Sequence, residues 1–316
     1  MSFEEFTETV RNAVAERLSL EVAVKTVPKN NGVILTGLII MDECSNTAPT
    51  IYLDGFYEEY QQEKDMEETI SNICKAFHNS RFSHPIDFSD FVVFETAKKQ
   101  IVLRLINYEK NLGILEEIPH RRFLDLAIVY YYVVQKPPFN GKASIRINNY
   151  HMKIWGVTEE KLYQTATANT PKLLPVQITD IQQHVGDMTE TVLKGLLSGN
   201  EEMQRLCIQT VLLGSLMDEI ERLPMYVMSN RDILMGAACM LYPDSLKEFA
   251  EKMQRDLYIL PSSVHETILL PVFEEAGSES LYEMVREVNR NQVAVEERLS
   301  DNVYIYRRAT DSIELA

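Results

Sequence analysis

The chain has 316 residues, of which 45% are hydrophobic and 25% charged, so its composition is that of a folded protein rather than a disordered one. Its length suits two or three units of ordinary domain size. Lysine and arginine number 31 against 47 aspartates and glutamates, and the resulting net charge of −16 repels phosphate backbones and anionic lipid surfaces. Composition therefore argues against nucleic-acid binding by direct charge attraction and against membrane docking.

The start of the chain and the cysteines predict a cytoplasmic protein. Glu4 and Glu5 stand where a signal peptide needs basic residues, and no apolar run follows them. The most apolar early stretch, at 34–41, is far shorter than a membrane span. The four cysteines lie far apart and form no Cys-x-x-Cys pair, which favours thiols in a reducing compartment.

Periodicity and capping signals predict the elements of the first half of the chain. Ser2 and Glu5 form a capping box ahead of apolar residues at helical spacing, so an opening helix should run to about Leu18. A hairpin that turns at 30–32 should follow. The later elements are a strand at 50–53, helices at 56–77 and 87–99, strands at 101–107, 122–134, 143–147 and 151–155, a helix from Thr158 to about 169, and a strand at 173–178.

The second half begins with a helical segment of different character. Apolar residues keep helical spacing through 179–223 and are interrupted only at 198–200, which predicts a helical hairpin. The remaining elements are strands at 225–228 and 236–241, a helix at 243–253, strands at 257–260 and 267–270, a helix at 279–289, and a strand at 303–306.

These elements predict an α+β protein of tandem units, each an antiparallel sheet covered by helices, with a helical hairpin insertion. Leu174-Pro175 and Leu260-Pro261 each end a hairpin-then-helix stretch, which suggests an internal repeat. The predicted units are an N-terminal α+β unit at 1–118, a hairpin-helix-strand unit at 119–181, the helical hairpin at 182–223 and a C-terminal α+β unit at 224–316.

Several segments resemble an uncharacterised bacterial family, known only as a domain of unknown function and frequent in anaerobic Gram-positive bacteria. The segments that carry the resemblance are 105–111, 119–127, 169–171, 226–230, 236–238, 241–243, 258–266 (Tyr-Ile-Leu-Pro-Ser-Ser-Val-His-Glu), 285–289 and 299–304. The resemblance implies a cytoplasmic bacterial protein and assigns no catalytic role to any position.

The most suggestive group of chemical side chains is Ser262, Ser263, His265 and Glu266, which includes the residue types of nucleophilic catalysis. In an extended segment Ser263 and His265 would share a face. The alternative is structural, because Ser263 and Glu266 also have capping-box spacing and Pro-Ser-Ser is ordinary turn chemistry. We expect the turn.

Metal and nucleotide sites are not expected. The His-Glu-x-x-His pattern of zinc enzymes fails after His265-Glu266 because position 269 is leucine, and the other histidines show no ligand spacing. The chain also lacks a Gly-x-Gly-x-x-Gly motif and a phosphate-binding loop. We therefore expect no cofactor and no bound metal.

Two further positions are candidate ligand contacts. Asp125 lies in an apolar run, where a buried carboxylate would need a cation such as Arg121 or Arg122, or else would sit at the strand's end within reach of solvent or backbone amides. Asn230 and Arg231 could present polar groups to a ligand, or could simply form a turn.

The absence of a recognisable reaction centre, together with the acidic balance, favours a non-catalytic cytoplasmic binding or adaptor protein whose partner is another protein. Two alternatives are a hydrolase-like enzyme that uses Ser263 and His265, and an acidic inhibitor of a nucleic-acid enzyme. The first needs an imidazole within hydrogen-bonding reach of a serine hydroxyl in a cleft. The second needs carboxylates concentrated on one face.

Overall fold

The structure is a computed structural model, and it describes residues 1–43, 45–82, 85–139, 143–181, 183, 224–273 and 278–316. The chain divides into two compact units, which we call unit 1 (Met1–Asp90) and unit 2 (Phe91–Ala316). The described residues form an α+β protein with three antiparallel sheets, so the predicted fold class is confirmed.

Unit 1 consists of a three-stranded sheet in the order β1-β2-β3 and three long helices that share a core with it. Its elements are α1 (Phe3–Leu18), β1 (Glu21–Pro28), β2 (Ile34–Met41), β3 (Thr50–Tyr52), α2 (Leu53–Glu63) and α3 (Met66–Ser80). A short helix, α4 (Ser89–Val92), spans the division between the units.

Local side chains set the starts of two helices in unit 1, α1 and α3. The Ser2 hydroxyl accepts the N–H of Glu5 at 3.2 Å, and the Glu5 carboxylate accepts the N–H of Ser2 at 2.8 Å, so the predicted capping box opens α1. Asp65 caps α3 by accepting the N–H of Glu68 at 2.9 Å. Apolar side chains at helical spacing then pack against the sheet in one core.

Unit 2 contains a four-stranded sheet and a six-stranded sheet. In the first sheet β6 pairs with β4, β5 and β7, and the second has the order β13-β12-β10-β11-β9-β8. The elements are α5 (Phe94–Ala97), β4 (Ile101–Asn107), α6 (Leu112–Leu115), β5 (His120–Phe123), β6 (Leu126–Val134), β7 (Ala143–Arg146), α7 (Asn149–Trp155), α8 (Glu159–Leu173), β8 (Val176–Asp180), β9 (Tyr226–Asn230), α9 (Ser245–Met253), β10 (Leu257–Leu260), β11 (Thr267–Pro271), α10 (Ser278–Asn291), β12 (Tyr304–Arg307) and β13 (Ser312–Leu315).

The two sheets of unit 2 share one core, in which β4 and β6 bury side chains together with those of β10, β11 and β12. Helix α10 covers the other face of the six-stranded sheet with Leu281, Val285 and Val288. Helix α8 lies along β4, and the hydroxyl of Thr170 accepts the N–H of Leu103 at 3.0 Å. This bond satisfies a backbone group that an edge strand would otherwise leave unpaired.

The stretch predicted as one strand at 122–134 belongs to two strands, β5 and β6, joined by a tight turn. Phe123 pairs with Leu126, and Leu124 adopts a φ of 55° between them. Glycine or asparagine usually fills such a left-handed position, so the leucine gave no turn signal. Asp125 therefore lies in a turn and is partly exposed, rather than inside a strand.

Four other predicted elements differ in the structure. The single helix predicted at 56–77 is two helices, α2 and α3, because Lys64 adopts a φ of 59° and Asp65 caps α3. Residues 151–155 are helical, because Asn148 caps α7 and Gly156 ends it with a φ of 65°. Residues 236–241 form a buried 3₁₀-helix instead of a strand. The helix predicted at 87–99 is broken into α4, α5 and a 3₁₀ turn.

Strand pairing crosses the predicted divisions of the chain. β4 pairs with β6 across residue 118, and β8 pairs with β9 across 182–223. The two stretches compared as a repeat also differ, since α7 and α8 occupy one and a 3₁₀-helix and α9 the other. The four-part division stays a prediction, and its helical hairpin at 182–223 lies outside the described residues apart from residue 183.

Candidate functional site

Ser263 and Glu266 lie in the connection between β10 and β11 and shape it as a turn. The Ser263 hydroxyl accepts the N–H of His265 at 3.1 Å, and the Ser263 N–H donates to the carbonyl of Glu266 at 3.2 Å. Ser263 is 1% exposed. A serine nucleophile must meet its substrate, whereas this hydroxyl is buried and bonded to backbone, which is the use expected of a turn.

His265 and Ser262 complete the same connection. Nδ1 of His265 donates to the carbonyl of Ile233 at 3.0 Å, since a carbonyl oxygen only accepts, and the carbonyl of His265 accepts the hydroxyl of Ser229 at 2.8 Å. The Ser262 hydroxyl donates to the Glu266 carboxylate at 3.3 Å. These bonds fix the β10–β11 connection against β9. They do not favour the hydrolase hypothesis, which stays a prediction.

Asn230 holds the turn that follows β9. Its side-chain oxygen accepts the N–H groups of Asp232 and Leu234, each at 3.1 Å, and its amide donates to the carbonyl of Leu234 at 2.7 Å. Asn230 is buried, while Arg231 is exposed. Positive φ falls at Ile233 rather than at the asparagine. Asn230 thus uses its amide to build the turn, and Arg231 alone of the pair faces solvent.

Asp125 accepts three side-chain hydrogen bonds from the segment before and within β12. Its carboxylate receives the hydroxyl of Ser300 at 2.6 Å, the amide of Asn302 at 2.9 Å and the hydroxyl of Tyr304 at 2.8 Å. Burial, and secondly the negative charge of Asp125, raise the pKa of Tyr304, so this phenol stays protonated and remains a donor.

The arginines that the sequence offered as partners for Asp125 bind elsewhere. Arg121 donates to Glu159 at 2.9 Å and also contacts Glu160, and the guanidinium stacks 4.0 Å above the ring of Tyr163. Arg122 lies 3.7 Å from Glu109. Asp125 is therefore stabilised by neutral donors, a solution that needs no cation.

An aromatic cluster surrounds Trp155 at the end of α7. The ring of Phe91 lies 4.9 Å from the ring of His151 and 5.2 Å from that of Trp155. His151 also completes a capping box, because its Nδ1 accepts the N–H of Asn148 at 3.1 Å. An imidazole that accepts at Nδ1 must be neutral or lose this bond.

This arrangement predicts a pH dependence of stability in unit 2. Burial lowers the pKa of His151 below 6.5, so the unfolded chain binds the proton more readily than the folded one. The stabilisation is complete above pH 6.5 and is lost as the pH falls through the lowered pKa. Urea titrations followed by the fluorescence of Trp155, the single tryptophan, should show the loss between pH 7.5 and 5.

The matched control is His151→Gln, since glutamine at this position also completes a capping box but does not titrate. Over the same pH range its free energy of unfolding should fall less than that of the wild type. The difference between the two falls should be about 0.5 to 1 kcal/mol, the ordinary contribution of a cap. Equal losses in both proteins would show that His151 is not the group responsible.

The helices of unit 1 carry a dense layer of exposed carboxylates, which we call the acidic layer. Residues 1–90 contain 16 acidic and 7 basic side chains, so unit 1 holds −9 of the net charge of −16. On α1, α2, α3 and their caps, four lysines and arginines are exposed (Arg17, Lys64, Lys75 and Arg81). Against them stand ten exposed carboxylates: Glu4, Glu5, Glu8, Glu16, Glu58, Glu59, Glu63, Asp65, Glu67 and Glu68.

The acidic layer follows from the amphipathic pattern of its helices. Each helix turns an apolar stripe toward the sheet, so its charged positions face outward. Glu5 and Asp65 also cap helices, and Glu67 contacts Arg17. Glu8 likewise pairs with Arg11 at 2.7 Å. Carboxylates crowded at this density attract cations.

A pocket of about 380 Å³ lies in unit 1, where α1 and α3 end. Its apolar walls are Leu18, Leu20, Phe77 and Phe82, and its polar walls include Asp42, His78 and Arg81. Asp42 and Arg81 form an ion pair at 3.5 Å. The volume is in the range of a binding pocket and exceeds that of a large side chain. No local pattern in the sequence indicates this pocket, because its walls come from three separate segments.

A pocket of about 390 Å³ in unit 2 is less suited to a charged ligand. Its walls carry Lys247 and Arg308 but also Glu251 and Asp256. Asp256 accepts the backbone N–H of Arg308 at 3.0 Å. Charges of both signs offset one another there, so the pocket favours neither an anion nor a cation.

Two classes of site are not found among the described residues. No group of three or more histidines, cysteines and carboxylates in them is arranged to hold a metal ion. Within the same ranges, each helix is too short or too polar to cross a membrane.

Comparison with known proteins places the chain in a family. No curated protein and no solved structure matches it. A family model does match, over residues 3–308, and this range includes most of both units and the segments through which the sequence resembles an uncharacterised family. The chain belongs to the family of unknown function DUF5688.

Proposed function

We propose that this chain is a non-catalytic binding protein of the bacterial cytoplasm that holds a basic, partly apolar segment of another protein on unit 1. The acidic layer is the observation that carries the proposal. Unit 1 has fewer than a third of the residues but more than half of the net charge, and ten of its exposed carboxylates lie on three neighbouring helices and their caps.

Electrostatics would give such a surface its selectivity. Lysines and arginines of a partner are drawn to the acidic layer, which speeds encounter and orients the partner, while anionic partners are repelled. Exposed ion pairs add little affinity each, since water and salt screen them. Charge alone therefore accounts for recruitment better than for tight binding.

The pocket bounded by Leu18, Leu20 and Phe77 supplies the apolar contact that charge alone lacks. A large side chain buried in such a pocket contributes most of the affinity at many protein interfaces. A bound segment would thus place an aromatic or branched side chain in the pocket and basic side chains along the helices. The contacts of Ser263 and Asp125 within unit 2 agree with a protein that binds rather than one that catalyses.

The test uses a fluorescein-labelled peptide of lysines and leucines with one tryptophan, and fluorescence anisotropy with the full chain. Replacing Glu58, Glu59 and Glu63 on α2 by lysine should weaken binding about tenfold or more. The matched control makes the same charge change on unit 2, at the exposed residues Glu116, Glu117 and Glu283, and should bind almost as well as the wild type.

Two further comparisons test the pocket. Exchanging the peptide's tryptophan for serine should weaken its binding to the wild type, and Leu20→Ser should remove most of that difference between the peptides. Equal weakening by both charge variants would mean attraction to net charge alone and would overturn the proposal. So would the lack of measurable binding at low salt.

The acidic layer also favours one of the alternatives, an acidic inhibitor of a nucleic-acid enzyme, because carboxylates concentrated on one part of a surface can compete with a phosphate backbone. That function is a special case in which the partner's basic surface also binds DNA or RNA. Competition distinguishes it: duplex DNA should displace the chain from such an enzyme, and the α2 charge variant should not inhibit it.

A further inference from the structure

Strand β1 lies at the edge of the sheet in unit 1, since within the described residues it pairs only with β2. It is eight residues long, and Glu21, Lys25, Thr26 and Pro28 are exposed. No residue of β1 is buried, although helices α1, α2 and α3 share a core with the sheet. A long accessible edge offers a row of backbone groups to another strand.

The direction of those backbone groups follows from two hydrogen bonds. The N–H of Lys29 donates to Val33 across the hairpin at 2.7 Å, and the N–H of Thr36 points away from β1 to the carboxylate of Asp54 at 2.9 Å. Direction alternates along an antiparallel strand. Odd-numbered residues of β1 therefore bond to β2, and Val22, Val24 and Thr26 point their N–H and C=O groups outward.

An antiparallel copy of β1 fits this edge in one register with full charge complementarity. When Ala23 lies opposite Ala23 of a second copy, the outward groups of Val22 and Val24 meet as hydrogen-bonded pairs and form four backbone bonds. In the same register Glu21 of each copy lies opposite Lys25 of the other, on the sheet face away from the helices. These are non-hydrogen-bonded positions, where facing side chains come closest.

Neighbouring registers keep backbone bonds but lose the charge pairs. Centring the pair on Val24 joins the outward groups of Val22 and Thr26 and those of the two Val24 residues, yet places no opposite charges together. Centring it on Lys25 sets two lysines face to face, which destabilises a sheet. In the favoured register, Val22 and Val24, which both pack on the unit 1 core, also meet their counterparts across the interface.

We propose that the chain forms a reversible homodimer through antiparallel pairing of β1 with β1 of a second copy, which joins two three-stranded sheets into one of six strands. The interface is small, so the dissociation constant is expected to be on the order of 10 µM. This assembly is independent of the binding proposed for the acidic layer, which lies on the helices.

Sedimentation velocity of the full chain over a concentration series tests the proposal. The wild type should shift from monomer to dimer. Lys25→Glu sets Glu21 against a glutamate twice, and Glu21→Lys sets Lys25 against a lysine twice, so each should weaken the dimer about tenfold or more. The charge swap that combines both substitutions should restore it, while Lys75→Glu on α3 should leave it unchanged.

Mixing the two single variants gives the sharpest result. A chain with lysines at both positions complements a chain with glutamates at both, so the mixture should form a heterodimer although each variant alone is monomeric. A monomeric wild type at all concentrations, a dimer insensitive to the single reversals, or a mixture that stays monomeric would each overturn the proposal.

A cross-link checks the register directly. Ala23→Cys places two thiols at a non-hydrogen-bonded pair on the two-fold axis, where Cα atoms are about 4.5 Å apart and a disulfide can form. Mild oxidation should therefore give a covalent dimer. Val27→Cys, on the same face of the same strand, has no counterpart in this register and should give none, so dimers from both variants, or from neither, would contradict the pairing.

Discussion

Asp125→Ala is expected to destabilise unit 2 by about 3 kcal/mol, because it removes an acceptor shared by three donors from another segment. Ser300 and Tyr304 are buried, with 1% and 0% of their surface exposed, and their hydroxyls point at this carboxylate. Without it, a buried phenol is left unbonded, which costs more than the bond itself contributed. Urea titration followed by Trp155 fluorescence measures the loss.

The exchange Asp125→Asn should cost less, about 1 to 2 kcal/mol, since the amide keeps one acceptor and hydroxyls can turn to accept its N–H groups. Asp232→Ala, at an exposed aspartate, is the control and should change stability by no more than about 0.5 kcal/mol. In Tyr304→Phe the effect of Asp125→Ala should shrink, because the orphaned phenol is gone. An unchanged effect would show that the bond to Tyr304 contributes nothing.

Local signals in the sequence predicted what local interactions determine. The capping box of Ser2 and Glu5 and the helical spacing behind it predicted α1, and the structure contains both. Equally local signals mark the two ends of α7, which begins after Asn148 and ends before Gly156. Residues 151–155 were nevertheless predicted as a strand. The helix signals were present in the sequence, but the apolar residues were interpreted with the two-residue period of a strand instead of the 3.6-residue period of a helix.

The partners of Asp125 were beyond the reach of any local pattern. Ser300 lies 175 residues further along the chain, and the two meet only because the four-stranded and six-stranded sheets share one core. The turn that places Asp125 depends on a left-handed Leu124, which sequence rules do not anticipate. Tertiary packing overrode the local preference, so Asp125 could be selected as a candidate from the sequence but its contacts could not be predicted.

The net charge of the chain could be predicted from the sequence, but the location of the acidic surface could not. Composition gives the net charge of −16, whereas the concentration of carboxylates on α1, α2 and α3 depends on which helix faces are covered. The pocket beside Leu18 and Phe77 was hidden for the same reason, since its walls come from segments far apart in the chain.

Gly236→Ala is expected to destabilise unit 2 by about 3 kcal/mol or more, through a steric conflict at the junction of β9 and the β10–β11 connection. A methyl group at Gly236 would lie 2.1 Å from the carbonyl oxygen of His265 and 2.2 Å from the hydroxyl of Ser229. Real carbon atoms do not approach so closely, so the backbone at His265 must move. That movement breaks the bond between Ser229 and His265.

The control Gly113→Ala, also in unit 2, adds a methyl group with no neighbour within 4 Å and should leave stability unchanged or slightly raised. Ser229→Ala alone removes one hydrogen bond and should cost about 1 kcal/mol. In the double variant Ser229→Ala/Gly236→Ala the clash with the hydroxyl is gone, but the clash with the carbonyl of His265 remains. The double variant should therefore recover only part of the stability that Gly236→Ala loses. Full recovery in urea titrations followed by Trp155 fluorescence would mean that the β10–β11 connection can move without cost and does not depend on its contact with β9.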